Sequence, residues 1–197
     1  LLKLNVVIAG ANVLDENIVG EAYALRALGY LYLMNTYAYM PTAIVASQNK
    51  GGVPLITDAV LSLSDVTLPA RASIDDVYAF MLSDVSNAVQ RLSNSGTNAR
   101  FTKAGAQALG SRIALYGGEY QLSIDYAEDA IASGVATLSS RADYVSDWAK
   151  AEHPEALWYL EYQSNESQGP NTSVMSIYIT DGTVLSPSYR GNGDFTP

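Results

Sequence analysis

The sequence predicts a mainly α-helical fold of paired helices, with a long loop insertion and a few short strands. Three observations carry this. Gly20–Leu33 (GEAYALRALGYLYL) is apolar nearly all round, with Gly and Ala where neighbouring helices must come close. Its spacing Leu25-x-x-Leu28-Gly29-x-x-Tyr32 returns as Ala106-x-x-Leu109-Gly110-x-x-Ile113. Between the two, Ile74, Val77, Tyr78, Met81, Leu82, Val85, Ala88, Val89 and Leu92 form one unbroken stripe at helical period.

The recurring spacing is that of the first helix of a tetratricopeptide unit, W-x-x-L-G-x-x-Y, with Leu25 in place of the Trp. Ser123-x-x-x-Ala127 falls on the A-x-x-x-F position of the second helix. Tetratricopeptide-like helix pairs, stacked as an α-α superhelix, make a scaffold rather than a catalytic core. Function is therefore sought on the loops, and Leu28 is expected in the tightest helix contact.

Taken in order, Leu1, Leu4, Val7, Ile8 and Ala11 predict a helix near 1–12. Asp15-Glu16-Asn17 reads as a polar joint before a long helix near 18–39. From Met40 to Arg71 the helical period stops. Asn49-Lys50-Gly51-Gly52-Val53-Pro54 is turn chemistry, and Pro69 closes the segment. So long an irregular connection is unusual inside a domain and is usually functional. Ser73 caps a helix near 73–92, with Asp75 and Asp76 at its positive end and Asp84 outside the apolar stripe. Thr102 caps a helix near 102–117, closed by Gly117-Gly118, and a partner helix follows near 119–133.

After Gly134 the texture changes. Trp158-x-Leu160-x-Tyr162 alternates as a short strand, and Val174–Thr180 reads as a second. The whole is expected to be one domain over 1–197. Its helix pairs fall near 18–92, split by the 40–71 insertion, and 102–134, with a region of loops and short strands at 135–197.

Composition narrows the function. A net charge of -9 argues against nucleic acid, which needs clustered Lys and Arg to displace counterions. The absence of cysteine removes disulfides, thiol nucleophiles and thiolate metal sites. The charge-free stretch between Arg26 and Lys50 is broken by Asn35, Thr36, Pro41, Thr42, Ser47 and Gln48, so a buried helix and loop are expected rather than a membrane span. Beginning at Leu1 and ending in Gly193–Pro197, the sequence reads as an interior fragment.

No catalytic constellation is visible. His153 stands alone, without the second histidine or convergent carboxylates that a metal site or a triad needs. Asp75 and Asp76 are dipole partners on a solvent face, and Asp125, Glu128 and Asp129 form a solvated acidic surface. Gly51-Gly52 and Gly117-Gly118 lack the Lys-Ser/Thr that completes a phosphate cradle. No enzyme activity, cofactor or metal is expected.

The surplus is tyrosine, fourteen against three phenylalanines. A flat apolar face with a hydroxyl suits hydroxyl-rich amphipathic ligands such as sugars. Tyr23, Tyr30, Tyr32, Tyr78, Tyr116 and Tyr126 lie within predicted helices and are expected to be structural. Tyr37 and Tyr39, at the entry to the insertion, are candidate stacking platforms. Gln48 and Asn49 before the Gly51-Gly52 turn, and Asn165 and Gln168 in a later polar loop, are candidate hydroxyl-binding amides.

The ordered set of local motifs resembles the SusD/RagB family of outer-membrane glycan-binding lipoproteins. It comprises Gly20-Glu21-Ala22-x-x-Leu25-Arg26-Ala27-Leu28-x-Tyr30 with Leu33, then Gly52-Val53-Pro54-Leu55 and Arg71-Ala72-Ser73-x-x-Asp76-Val77-Tyr78. Thr102-Lys103-x-x-Ala106-x-Ala108-Leu109 follows, then Tyr116, Tyr120, Ala127, Ile131 and Gly134, and finally Pro154-Glu155. The resemblance runs from about Asn5 to Tyr162. It implies a lipid-anchored, surface-exposed protein that presents an oligosaccharide or polysaccharide to a SusC-like TonB-dependent transporter in the outer membrane. Family members are usually much longer, and the signal peptide and lipidated Cys are expected outside this sequence. The competing reading is a tetratricopeptide adaptor that binds a protein or peptide in its concave groove.

Overall fold

Helix α2 (Glu16–Tyr37) is the longest element and packs between α1 and α3. The computed structural model describes residues 1–150 and 152–161. Besides α2, these hold α1 (Leu2–Ala9), α3 (Ile74–Arg91), α4 (Lys103–Gly117), α5 (Tyr120–Ala132) and the single turn α6 (Tyr144–Asp147). α1 lies on α2, α2 on α3, α3 on α4 and α4 on α5. Neighbours run antiparallel. Gly20 near the start of α2 meets Leu92 just past the end of α3, Gly117 at the end of α4 meets Tyr78, and Gln107 reaches Asp129.

Capping explains where the helices begin. Asp15 accepts the Asn17 N–H at 2.8 Å, Ser73 that of Asp76 at 3.0 Å, and Thr102 that of Gly105 at 3.1 Å. The expected polar joint at Asp15-Glu16-Asn17 is thus the cap and first turn of α2. Of the three, Asp15 accepts an orphan helix N–H, whereas Glu16 pairs with Arg91 and Asn17 Oδ1 accepts from Ser93. α1 stops at Ala9 rather than near residue 12, where Gly10 ends it and a 3-10 turn over Ala11–Val13 follows. α4 closes on Gly118, whose φ of +86° is the left-handed cap expected of glycine.

The core runs through α2, α3 and α4: Ala24, Ala27, Tyr30 and Met34 pack with Val77, Met81, Val85 and Ala88, and with Ala106 and Ile113. Close approach depends on glycine. A Cβ on Gly110 would stand 2.6 Å from Val85 and 3.0 Å from the Tyr126 ring, and one on Gly29 would stand 2.9 Å from Leu1. The tightest contacts are therefore at the glycines and not at Leu28, which is half-buried beside a surface groove.

Two expectations about burial fail, in opposite directions. Asp84, placed outside the stripe by its charge, is 2% exposed, and Tyr32, expected to be structural, is 66% exposed. Residue type alone misassigns both: Tyr32 faces the groove beside Leu28 and Arg112, while α3, packed on α2 and α4, buries more than its apolar stripe. Asp84 is buried because Arg26 comes to meet it from α2.

The 40–71 insertion is irregular, as expected. Its neck is closed where Gly52 N–H donates to Ala72 O (2.7 Å) and Ala72 N–H donates to Val53 O (3.2 Å). Its first leg is stitched to the helices. Asn5 Nδ2 donates to Ile56 O and Asp58 O, and Tyr30 Oη accepts the Ile56 N–H at 2.8 Å. Residues 61–70 are exposed throughout.

The described residues contain no strand, and the strand expected at Trp158–Tyr162 is absent over 158–161. Trp158 instead stacks on Phe101, with ring centroids 4.5 Å apart and an angle of 15°. Tyr159 N–H donates to Asn98 O at 3.0 Å. The aromatic alternation serves docking onto a turn rather than pairing. The expected strand at Val174–Thr180 lies outside the described residues, as does Tyr162.

Candidate functional site

Because neighbouring helices alternate in direction, the insertion and the α4–α5 turn emerge at the same end of the bundle. There Thr36, Tyr37, Ala38 and Tyr39 face Gln48, Lys50, Gly51 and Arg71 across a cleft of ≈ 260 Å³. One wall is the last turn of α2 and the extended residues after it. The other is the Gln48–Gly51 turn, backed by the returning end of the insertion.

Each wall has a local cause. α2 ends at Ala38, whose φ of -138° is extended, and Pro41 then opens a short 3-10 turn over Pro41–Ala43. Thr42 rests on the α4–α5 turn, 3.3 Å from where a Gly118 Cβ would stand. The second wall turns at Gly51, with φ of +84°, and a Cβ there would meet Ala72 O at 2.9 Å.

Side chains lock the two walls together. Tyr39 Oη donates to Gln48 Oε1 at 3.0 Å, fixing the amide and leaving its Nε2 donor uncommitted. Arg71 Nη2 donates to Tyr37 O at 2.6 Å and to Gly51 O at 3.3 Å. The last turn of α2 carries no basic residue of its own. Arg71 supplies from a distance the positive charge that a helix C-terminus favours.

Of the residues selected from sequence, the fold brings Tyr37, Tyr39 and Gln48 into one cleft, with Tyr37 62% exposed. Asn49 adjoins it but does not line it. Its Oδ1 accepts the Gly51 N–H at 2.9 Å, so this amide builds the turn. Asn165 and Gln168 lie outside the described residues. Thr36, Lys50 and Arg71 were missed. Only the closing of the loop neck brings Arg71 beside Tyr37, and no local pattern announces it.

Elsewhere several of the acids singled out from sequence have local roles. Asp129 accepts from Gln107, Asp125 from Gln121, and Asp75 and Asp76 occupy the first turn of α3. His153 Nδ1 accepts the Glu155 N–H at 3.2 Å while its ring tilts over Trp148, with centroids 4.7 Å apart. Among the described residues no three metal-ligating side chains gather, and no helix is long and apolar enough to cross a membrane. On another face Leu28, Tyr32, Phe101, Arg112 and Trp158 line a groove of ≈ 360 Å³.

Comparison with known proteins places this architecture. Residues 9–115 match the profile of a SusD-like family described as starch-binding and associating with the outer membrane. A SusD-like protein of Formosa agariphila is 27% identical over 179 residues, covering 89% of this chain and 32% of that protein. The crystal structure of a SusD superfamily protein from Bacteroides thetaiotaomicron is 30% identical, with a TM-score of 0.67, over 77% of this chain and 32% of that one. A SusD-like protein from Bacteroides fragilis, 24% identical with a TM-score of 0.71 over 91% of this chain and 34% of that one, has the same fold. The chain thus spans about a third of the length of these relatives.

Proposed function

As the chain belongs to the SusD-like family, described as starch-binding and associating with the outer membrane, we propose that it is a non-catalytic glycan-binding component at the cell surface. In this reading it is lipid-anchored and passes oligosaccharide to a SusC-like TonB-dependent transporter. The observation that supports it is the Tyr37–Arg71 cleft. An exposed aromatic face for the C–H side of a sugar stands beside a Tyr39–Gln48 pair that presents a held amide to hydroxyls. Cleavage of a glycosidic bond needs two facing carboxyl groups, and the described residues that line the cleft supply none.

Calorimetric titration of the protein as its gene encodes it, against a panel of oligosaccharides, tests the site. Tyr37→Ala and Gln48→Ala are expected to weaken binding about tenfold each, with thermal stability unchanged because both side chains are exposed. Unchanged affinity in both variants removes this cleft from the site. The partner is tested by co-purification from the native outer membrane. Failure to recover a barrel protein counts against delivery to a transporter and favours a free binder.

A further inference from the structure

Resting on the glycan reading of this cleft, we propose that it takes oligosaccharides bearing an anionic group, a uronate carboxylate or a sulfate ester, and that Lys50 recognises that group. The chain carries twenty acidic residues against eleven Lys and Arg. Against that background the described residues line the cleft with two cations and no acid.

Four other bases are neutralised where they stand: Arg26 by Asp84, Arg91 by Glu16, Arg100 by Glu21 and Lys150 by Asp147. No carboxylate among the described residues pairs with Lys50 or Arg71. Lys3, Lys103, Arg112 and Arg141 also form no ion pair among the described residues, but none of them lines this cleft. Arg71 spends Nη2 on the carbonyls of Tyr37 and Gly51, which holds the guanidinium at the cleft wall. Lys50 is exposed and makes no such bond.

The chemistry of the lining decides between ligand classes. Sugar hydroxyls both donate and accept, and sites for neutral glycans profit from carboxylate acceptors. Lys and Arg only donate. The two cations match a group that only accepts, and charge makes those hydrogen bonds stronger. Carboxylate and sulfate ester share that property. The carbonyl end of α2 would by itself repel an anion, and Arg71 offsets it through Tyr37 O.

The test uses matched probes on the protein as its gene encodes it. One pair is an oligogalacturonate and the same oligosaccharide with its carboxylates reduced to hydroxymethyl groups. The other is a carrageenan oligosaccharide and its desulfated form. In at least one pair the charged member is expected to bind about tenfold more tightly than its neutral twin, and Lys50→Gln to erase the difference. Which pair responds tells carboxylate from sulfate. Tyr37→Ala should weaken both members of the responding pair alike. Equal affinity within both pairs, a preference that survives Lys50→Gln, or no binding by either pair overturns the proposal. A neutral starch oligosaccharide that binds and is weakened by Tyr37→Ala would then leave the glycan reading standing. One that binds with no response to Tyr37→Ala or Gln48→Ala would remove both.

Discussion

Arg26 and Asp84 are joined by two parallel hydrogen bonds in the interior between α2 and α3, Nε to Oδ2 at 2.8 Å and Nη2 to Oδ1 at 2.7 Å. Their side chains are 6% and 2% exposed. Burial pushes the Asp84 carboxyl up, and the Arg26 guanidinium opposes that shift. The guanidinium also lies 4.8 Å from the Phe80 ring centre, and its Nη1 donates to Asn5 Oδ1 at 2.9 Å. Asn5 in turn holds the carbonyls of Ile56 and Asp58. A single polar chain thus links α3, α2 and α1 to the first leg of the insertion.

Removing either partner alone strands a buried charge or polar group. Asp84→Ala and Arg26→Met should each destabilise the fold by about 3–5 kcal/mol. The double variant Arg26→Met with Asp84→Leu should recover much of that loss, because an apolar pair no longer carries a desolvation penalty. Chemical denaturation checks both points. Additive losses in the double variant would show that the two residues do not act as a pair.

Gly110→Ala should destabilise by about 1–3 kcal/mol, since its Cβ would enter the space of Val85 and Tyr126 and force α3 or α5 to shift. Gly10→Ala serves as the control. A Cβ there finds its nearest neighbours at 3.6 Å, so stability should change little. Equal thermal shifts for the two would refute the close-packing account.

Trp158→Ala should release the 156–159 segment from the bundle, because the stack on Phe101 is its main apolar contact there. The expected loss is about 1–3 kcal/mol, and new protease cleavage should appear around Leu157. Trp158→Phe should keep most of the stability. Protease resistance in Trp158→Ala would mean that the Asn98 hydrogen bonds to Ala156 and Tyr159 suffice.

Asp65 accepts the N–H groups of Ser62 and Leu61, and these bonds hold its carboxyl below the usual carboxylate value. The folded value is depressed, so the ordering of this turn is present above about pH 4 and lost as pH falls through the folded value. Amide shifts of Leu61 and Ser62 followed by NMR should titrate together in that acid window, and Asp65→Asn should abolish the transition. Flat profiles in the parent protein would disprove the turn.

Much of the scaffold is legible because its signals are local. Ser73 and Thr102 cap where their side chains find N–H groups three residues on. The Leu28-Gly29 and Leu109-Gly110 pairs mark close-packed helices, and the stripe on α3 has the period of a helix. Half of the candidate site is legible for the same reason: Tyr37, Tyr39 and Gln48 lie within twelve residues of one another, so a loop chemistry read in order can group them.

The chain alone was enough to locate α2 to α5, the caps at Ser73 and Thr102 and the place of the insertion, since each rests on signals a few residues long. Only the tertiary structure decided that Asp84 is interior, because that depends on an arginine fifty-eight positions away turning inward to meet it. The same holds for Arg71. It reaches Tyr37 across thirty-four positions once Gly52, Val53 and Ala72 close the neck of the insertion. Pairings of that separation leave no periodic trace in the chain, because they are set by how the helices alternate in direction.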